Sequence, residues 1–369
     1  MAPGGDGHAL DRHGLRRGPG RGDEDRGPQR DQVPERAAEA RAAQPRRGVL
    51  AHVHRGRLPR HAGGGHPQGR PLHDPQEHLR QEVLVLLPLV VAATISVAAT
   101  TTDLRDLVAA VGGDRVRVES LTDPRQDPHA REIHPRQLAR LREAELLVRI
   151  GLDHEPWLAR AVRTVGPPAH DLDLSRAVRL LGTETPRLRA DARPHVHAFG
   201  NTHYWLDPEN ARPITARILE ALAALRPADR PVFEANRARF LAELDARLPR
   251  WRARLAPFRG TRVVAVHDTW PYFAERFGLR IVATVEETPG VPPSPAYLGA
   301  LIERMRQAGV RVVLAEPGAP AALLRRLGEA AGARAVTLAP SVGSDPEATD
   351  YLTLFEVNVA RLARALGGP

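Results

Sequence analysis

Cysteine is absent from all 369 residues, and lysine is too: each of the 53 basic residues is Arg. Without cysteine there are no disulfides, no thiolate metal ligands and no thiol catalysis. There is also no residue for lipid attachment at an N-terminal cysteine, so an exported form is expected to carry no such tether. Aromatic residues make up only 4%, and none occurs before Trp157. Residues 1–82 lack Ile as well, and carry 15 Arg against 11 acidic residues with Gly, Pro and Gln between them. Such a stretch buries too little apolar surface to offset the entropy of ordering, so it reads as a disordered or mis-assigned N-terminal extension. The tail accounts for +4 of the +9 net charge, leaving the remainder only mildly basic. No basic helix, aromatic-plus-Arg platform or zinc-finger spacing accompanies that charge, which argues against nucleic acid as a partner.

What is present begins with an uncharged run between Glu82 and Asp103. Its centre, residues 83–93, is Val-Leu-Val-Leu-Leu-Pro-Leu-Val-Val-Ala-Ala. That length suits the apolar region of a signal peptide better than a spanning helix, which needs about 20 apolar residues. A start near Val83 and cleavage near Thr94 are the corresponding expectations. The alternative is a tail ahead of a buried strand.

From Ile95 onward short strands and helices alternate. Strands are expected at 95–99, 115–121 and 146–150, with helices at 103–111 and 135–144. Residues 166–200, with four prolines, read as a long loop. Asp207-Pro208 caps a helix, and a long helix follows over about 228–256. Its Phe240, Leu244, Leu248, Trp251 and Leu255 form one apolar stripe, and Pro249 is expected to kink or break it. A second series follows, with strands at 262–266, 280–285, 310–315 and 335–338 and a closing helix at 349–366. The implied fold class is α/β: two parallel-sheet lobes, 94–227 and 257–369, joined by one long helix.

Three histidines occupy comparable places: His129 eight residues past a strand, His203 before a capped helix, and His267 just past a strand. In open α/β sheets ligands bind beyond the carboxyl ends of strands, so two lobes present these residues to a shared cleft. Imidazole serves zinc, copper, nickel or iron, and three of them leave one position for a carboxylate or water. A lone loop histidine is more often plain polar surface. His134, His154 and His170 have no supporting context, and His195 and His197 either deliver metal or line a loop.

The surrounding motifs raise the three above that background. They are Val118-Glu119-Ser120-Leu121 leading to Asp127-Pro128-His129, His203-Tyr204-Trp205-Leu206-Asp207-Pro208-Glu209-Asn210, and Val264-Ala265-Val266-His267-Asp268 with Tyr272-Phe273. Pro292-Pro293-Ser294-Pro295, Leu314-Ala315-Glu316-Pro317 and Tyr351 follow in order. From Ile95 to the end the chain resembles the substrate-binding proteins of zinc and manganese ABC importers. The resemblance implies a metal between two lobes bridged by a rigid helix, delivery to a membrane permease, and ligand roles for His129, His203 and His267. It also implies a periplasmic, monomeric protein that is not an enzyme. The fourth ligand is open. The family often has an Asp after the last strand, where Ala339 or Pro340 stands here; Asp345 is a substitute if its loop folds back. Glu316 is the other candidate, as a direct ligand or as a group that orients a ligand histidine, and water is the third. Nitrogen donors favour Zn2+, with Mn2+ less suited.

Two rival functions use the same histidines. A zinc-dependent hydrolase would need a general base, for which Glu286, Glu287 and Asp268 are available, although each also reads as surface charge or a cap. A structural zinc protein would hold its metal without release.

Overall fold

The computed structural model describes residues 94–125, 134–182, 200–287 and 291–367. The N-terminal tail, the apolar run 83–93, His129, His195 and His197 lie outside the described residues.

The first lobe contains β1 (Ile95–Ala99), α1 (Thr102–Gly112), β2 (Val116–Ser120), α2 (Pro135–Glu143), β3 (Leu146–Arg149), α3 (Leu158–Val165) and β4 (His170–Asp173). After α4 (Ala211–Leu225) and α5 (Arg230–Leu255), the second lobe contains β5 (Arg262–Ala265), α6 (Pro271–Phe277), β6 (Arg280–Thr284), α7 (Pro295–Ala308), β7 (Val312–Ala315), α8 (Ala321–Ala331) and β8 (Arg334–Thr337). The closing α9 (Tyr351–Ala365) packs back on α5. Both sheets are parallel throughout and share one topology, β2-β1-β3-β4 and β6-β5-β7-β8. In each, the winding reverses between the two central strands, and the carboxyl ends there form the usual ligand crevice. The central strands of the second sheet are apolar on both faces (Val263, Val264, Val312, Val313, all buried), as a sheet covered by helices requires.

Helix α5 continues through Pro249, so of the kink or break expected there the break does not occur. Pro249 and Asp245, whose carbonyl loses its partner, both lie on the exposed side of the helix. The apolar stripe is buried as its spacing demands, with Phe233 added at the start. One continuous apolar cluster runs from Ile95 in β1 through this stripe to Phe273 and Phe355. The lobes therefore share a core and are not two bodies on a flexible joint.

Two elements escape the sequence pattern. The expected loop 166–200 contains β4, an edge strand with only Leu172 buried, made by backbone pairing to β3 rather than by apolar alternation. Arg149 supports it by reaching Asp171 (2.8 Å) and Asp173 (3.0 Å). Helix α3 is short and buries only Leu158 and Ala161.

Polar bonds also tie the lobes. In the first turn of α1, fully buried Asp103 accepts the Val342 N–H at 3.0 Å, and Asp106 accepts the Tyr351 N–H at 2.7 Å. Burial raises the Asp103 carboxyl from its ordinary 3.8 to about 7, while the bonds from Val342 and Ser341 oppose the rise. A value raised on folding means that the native state holds this proton more tightly than the unfolded chain. The contribution is complete below about pH 4 and is lost as pH rises through about 7. Asp103→Asn keeps an acceptor for Val342 and removes the titration. The variant is expected to lose less stability than wild type between pH 4 and 7 in urea unfolding; parallel losses would exclude Asp103 as the source.

Candidate metal site

His203 lies on a short segment held from several sides. Its N–H donates to Asn201 Oδ1 (2.9 Å), and the Asn201 amide donates to the Asp268 backbone oxygen (2.8 Å) and carboxylate (3.0 Å). Tyr272 donates to the Asn201 carbonyl (2.9 Å), and the Trp205 indole donates to the Pro340 carbonyl (3.0 Å). Asp207 closes the segment by a two-bond pair with Arg276 (2.6 and 2.7 Å). The imidazole is thus presented from a buried strip (His203 is 4% exposed) that belongs to neither sheet and is bonded to the second lobe.

His267 stands two residues beyond β5, at the crevice of the second sheet. Its ring centroid is 5.7 Å from that of His203. Its Nδ1 lies 3.0 Å from Glu286 Oε2. With the carboxylate ionised, Nδ1–H is the donor and Nε2 carries the lone pair a metal needs. Glu286, which by sequence reads as surface charge or a hydrolytic base, and not Glu316, orients His267. Glu316, one residue past β7, accepts the Trp270 indole N–H at 2.7 Å. Burial raises its pKa, and His267, Thr269 and Trp270 partly offset that. Asp268 is also raised by burial, with its bond to Asn201 opposing. It is exposed, and it also braces His203 through Asn201.

His203, His267, Glu286, Glu316 and Trp205 line one cavity of about 550 Å³ between the lobes, with Arg125 at its rim. Asp345 does not join them: it is half of an ion pair with Arg361 (2.5 Å) and caps the Glu347 N–H (3.0 Å). His134 starts α2 and His170 lies on β4, both exposed. His154 departs from its reading as a histidine without context, for it is fully buried with its ring 5.5 Å from His203. The available signal was its place just past β3, at the carboxyl edge of the first sheet. Among the described residues no three His, Asp or Glu side chains already converge as a metal-holding group.

The donor set nevertheless suits a transition metal. Two imidazoles on one tetrahedral zinc, each bound at about 2.0–2.1 Å, have centroids about 5 Å apart, close to the spacing seen between His203 and His267. Two α/β lobes with such a cleft and a helix across them define the class of two-lobed metal-binding proteins. The chain belongs to the family described as "Zinc-uptake complex component A periplasmic", whose model matches residues 97–365. It is 27% identical over 288 residues to the high-affinity zinc uptake system protein ZnuA of Paracoccus denitrificans, covering 71% of this chain and 88% of that one. It is 25% identical over 276 residues to the zinc-binding lipoprotein AdcA of Streptococcus pneumoniae, covering 73% of this chain but 55% of AdcA, about half its length. Among solved structures, a crystal structure of ZnuA matches with a TM-score of 0.63 at 27% identity, over 74% of this chain and 99% of that one. FpvC of Pseudomonas aeruginosa, solved with Mn2+, shares the fold with a TM-score of 0.64 at 23% identity, over 74% and 98%. No helix among the described residues is long and apolar enough to cross a membrane.

Trp270→Phe removes the indole donor from a buried carboxylate. It is expected to cost about 1–3 kcal/mol at neutral pH, and less in acid, where Glu316 is protonated. Chemical unfolding at pH 7 and pH 4 measures the difference; an equal loss at both would assign the cost to packing alone.

Proposed function

We propose that this chain captures one divalent transition-metal ion, zinc by preference, in the cleft between lobes 94–227 and 257–369, and delivers it to the permease of an ABC importer. The observation that carries the reading is the pair His203 and His267 on one cavity, with the Nδ1 of His267 held by Glu286. His129 supplies the third imidazole, and Glu316 lies close enough to be a ligand or to tune the site from behind. The nearby carboxylates already serve as acceptors for His267 and Trp270, which favours a holding site over one with a base poised for hydrolysis. Nitrogen donors favour zinc over manganese. The apolar run 83–93 fits export to the periplasm.

Because ligands come from different elements around one cleft, loading draws the walls together, and the shared core around α5 keeps that movement small. Release then depends on contact with the permease prising the donors apart.

Calorimetric titration of the metal-free protein tests this. One zinc per chain is expected, with His129→Ala, His203→Ala and His267→Ala each weakening binding by on the order of a hundredfold or more, and Glu286→Gln by about 10–100-fold. Tight one-to-one binding that survives all three histidine changes would refute the proposal, and so would turnover of an ester or peptide by the loaded protein. In competition, zinc should displace manganese.

A further inference from the structure

The geometry points to His154 as a metal ligand, an added imidazole on the first-lobe side of the site. This rests on the reading that metal binds beside His203. His154 stands five residues beyond β3, in a turn where Gly151, Leu152 and Asp153 all have positive φ (81°, 56° and 56°). A Cβ at Gly151 would come 2.3 Å from Asp173 Oδ1, so only glycine fits. The left-handed backbone is unfavourable for Leu152 and Asp153 and persists because the turn is pinned. Glu155 pins it by accepting the N–H groups of Ile150 (2.8 Å) and Gly151 (3.2 Å) and the Thr100 hydroxyl (2.5 Å). The turn sends the His154 ring inward, where it is 0% exposed.

The ring meets a hydroxyl on one side and the His203 ring on the other. Its Nδ1 lies 2.9 Å from Thr202 Oγ1, and Thr202 immediately precedes His203. With Nδ1–H donating to that hydroxyl, Nε2 carries the lone pair, the same division of labour that Glu286 imposes on His267. The His154 and His203 centroids are 5.5 Å apart, against 5.7 Å for His203 and His267. Both spacings are near the roughly 5 Å of two imidazoles on one zinc. Beside His154 is a cavity of about 20 Å³, also lined by Thr101, Thr102, Thr122 and Asp123. Thr102 Oγ1 is buried without a hydrogen-bond partner, and the space, which Trp205 and Pro124 also line, is of a size for one water or ion. Of the carboxylates around the cleft, Asp345 pairs with Arg361, Glu286 with His267 and Glu316 with Trp270. Since the described donors do not already converge, loading includes a short closing movement of these rings.

The test uses the full chain labelled with 15N-histidine, observed by long-range 1H–15N spectroscopy before and after one equivalent of zinc. The His154 signals are identified through His154→Leu and, where that variant is poorly folded by circular dichroism, His154→Gln. Zinc is expected to move the His154 Nε2 resonance into the metal-bound range along with those of His203 and His267. Zinc affinity of the variant should fall about tenfold or more with stoichiometry unchanged. If zinc moves His203 and His267 but leaves His154 Nε2 in place, the role of His154 is overturned and metal capture stands. If no histidine responds to zinc, metal capture itself fails, and this inference with it.

Discussion

The two-bond pair between Asp207 and Arg276 is the contact on which the arrangement of the site turns. It joins the segment bearing His203 to α6 of the second lobe, with oxygen–nitrogen distances of 2.6 and 2.7 Å. Bidentate guanidinium–carboxylate contacts fix orientation as well as distance. Asp207 also caps the turn that leads into α4, accepting the Glu209 N–H at 3.0 Å. One carboxylate thus starts a helix of the first half of the chain and docks that half on the second. Asn201, Trp205 and the Tyr351 hydroxyl, which donates to the Trp205 carbonyl at 2.6 Å, reinforce the same strip. His203 inherits its position from all of them.

This bonding explains how residues distant in the chain are held around one cleft. The shared apolar core resists separation of the lobes, and the buried polar bonds set the register in which they meet. The walls of the cleft are rigid strand ends: β3 behind His154, β5 behind His267, β6 before Glu286, β7 before Glu316. Side chains on such mounts lose little entropy on binding a ligand.

Local features were readable wherever a residue's neighbours in the chain decided its state. The strands at Ile95 and Val263, the stripe from Phe240 to Leu255 and the caps at Asp207 and Ser294 all follow from spacing and residue type. Pro249 shows the limit of such rules: its penalty depends on whether water reaches the Asp245 carbonyl, which spacing does not state. Strand β4 shows another, since an edge strand reading His-Asp-Leu-Asp owes its existence to β3 and Arg149 rather than to its own pattern.

For the site, the sequence by itself determined the donor chemistry. With no cysteine, histidine and carboxylate side chains are the donors the sequence offers, and its motifs favour histidine. The motifs around His203 and His267 marked those two. Which groups stand behind and beside them was decided only by the tertiary structure. Glu286 reaches His267 from the end of a neighbouring strand, and His154 reaches His203 across 49 residues of chain through the hydroxyl of Thr202. The physical reason is that contacts between strand ends depend on sheet order and lobe docking, which arise from the whole core and leave no periodicity in the residues that meet.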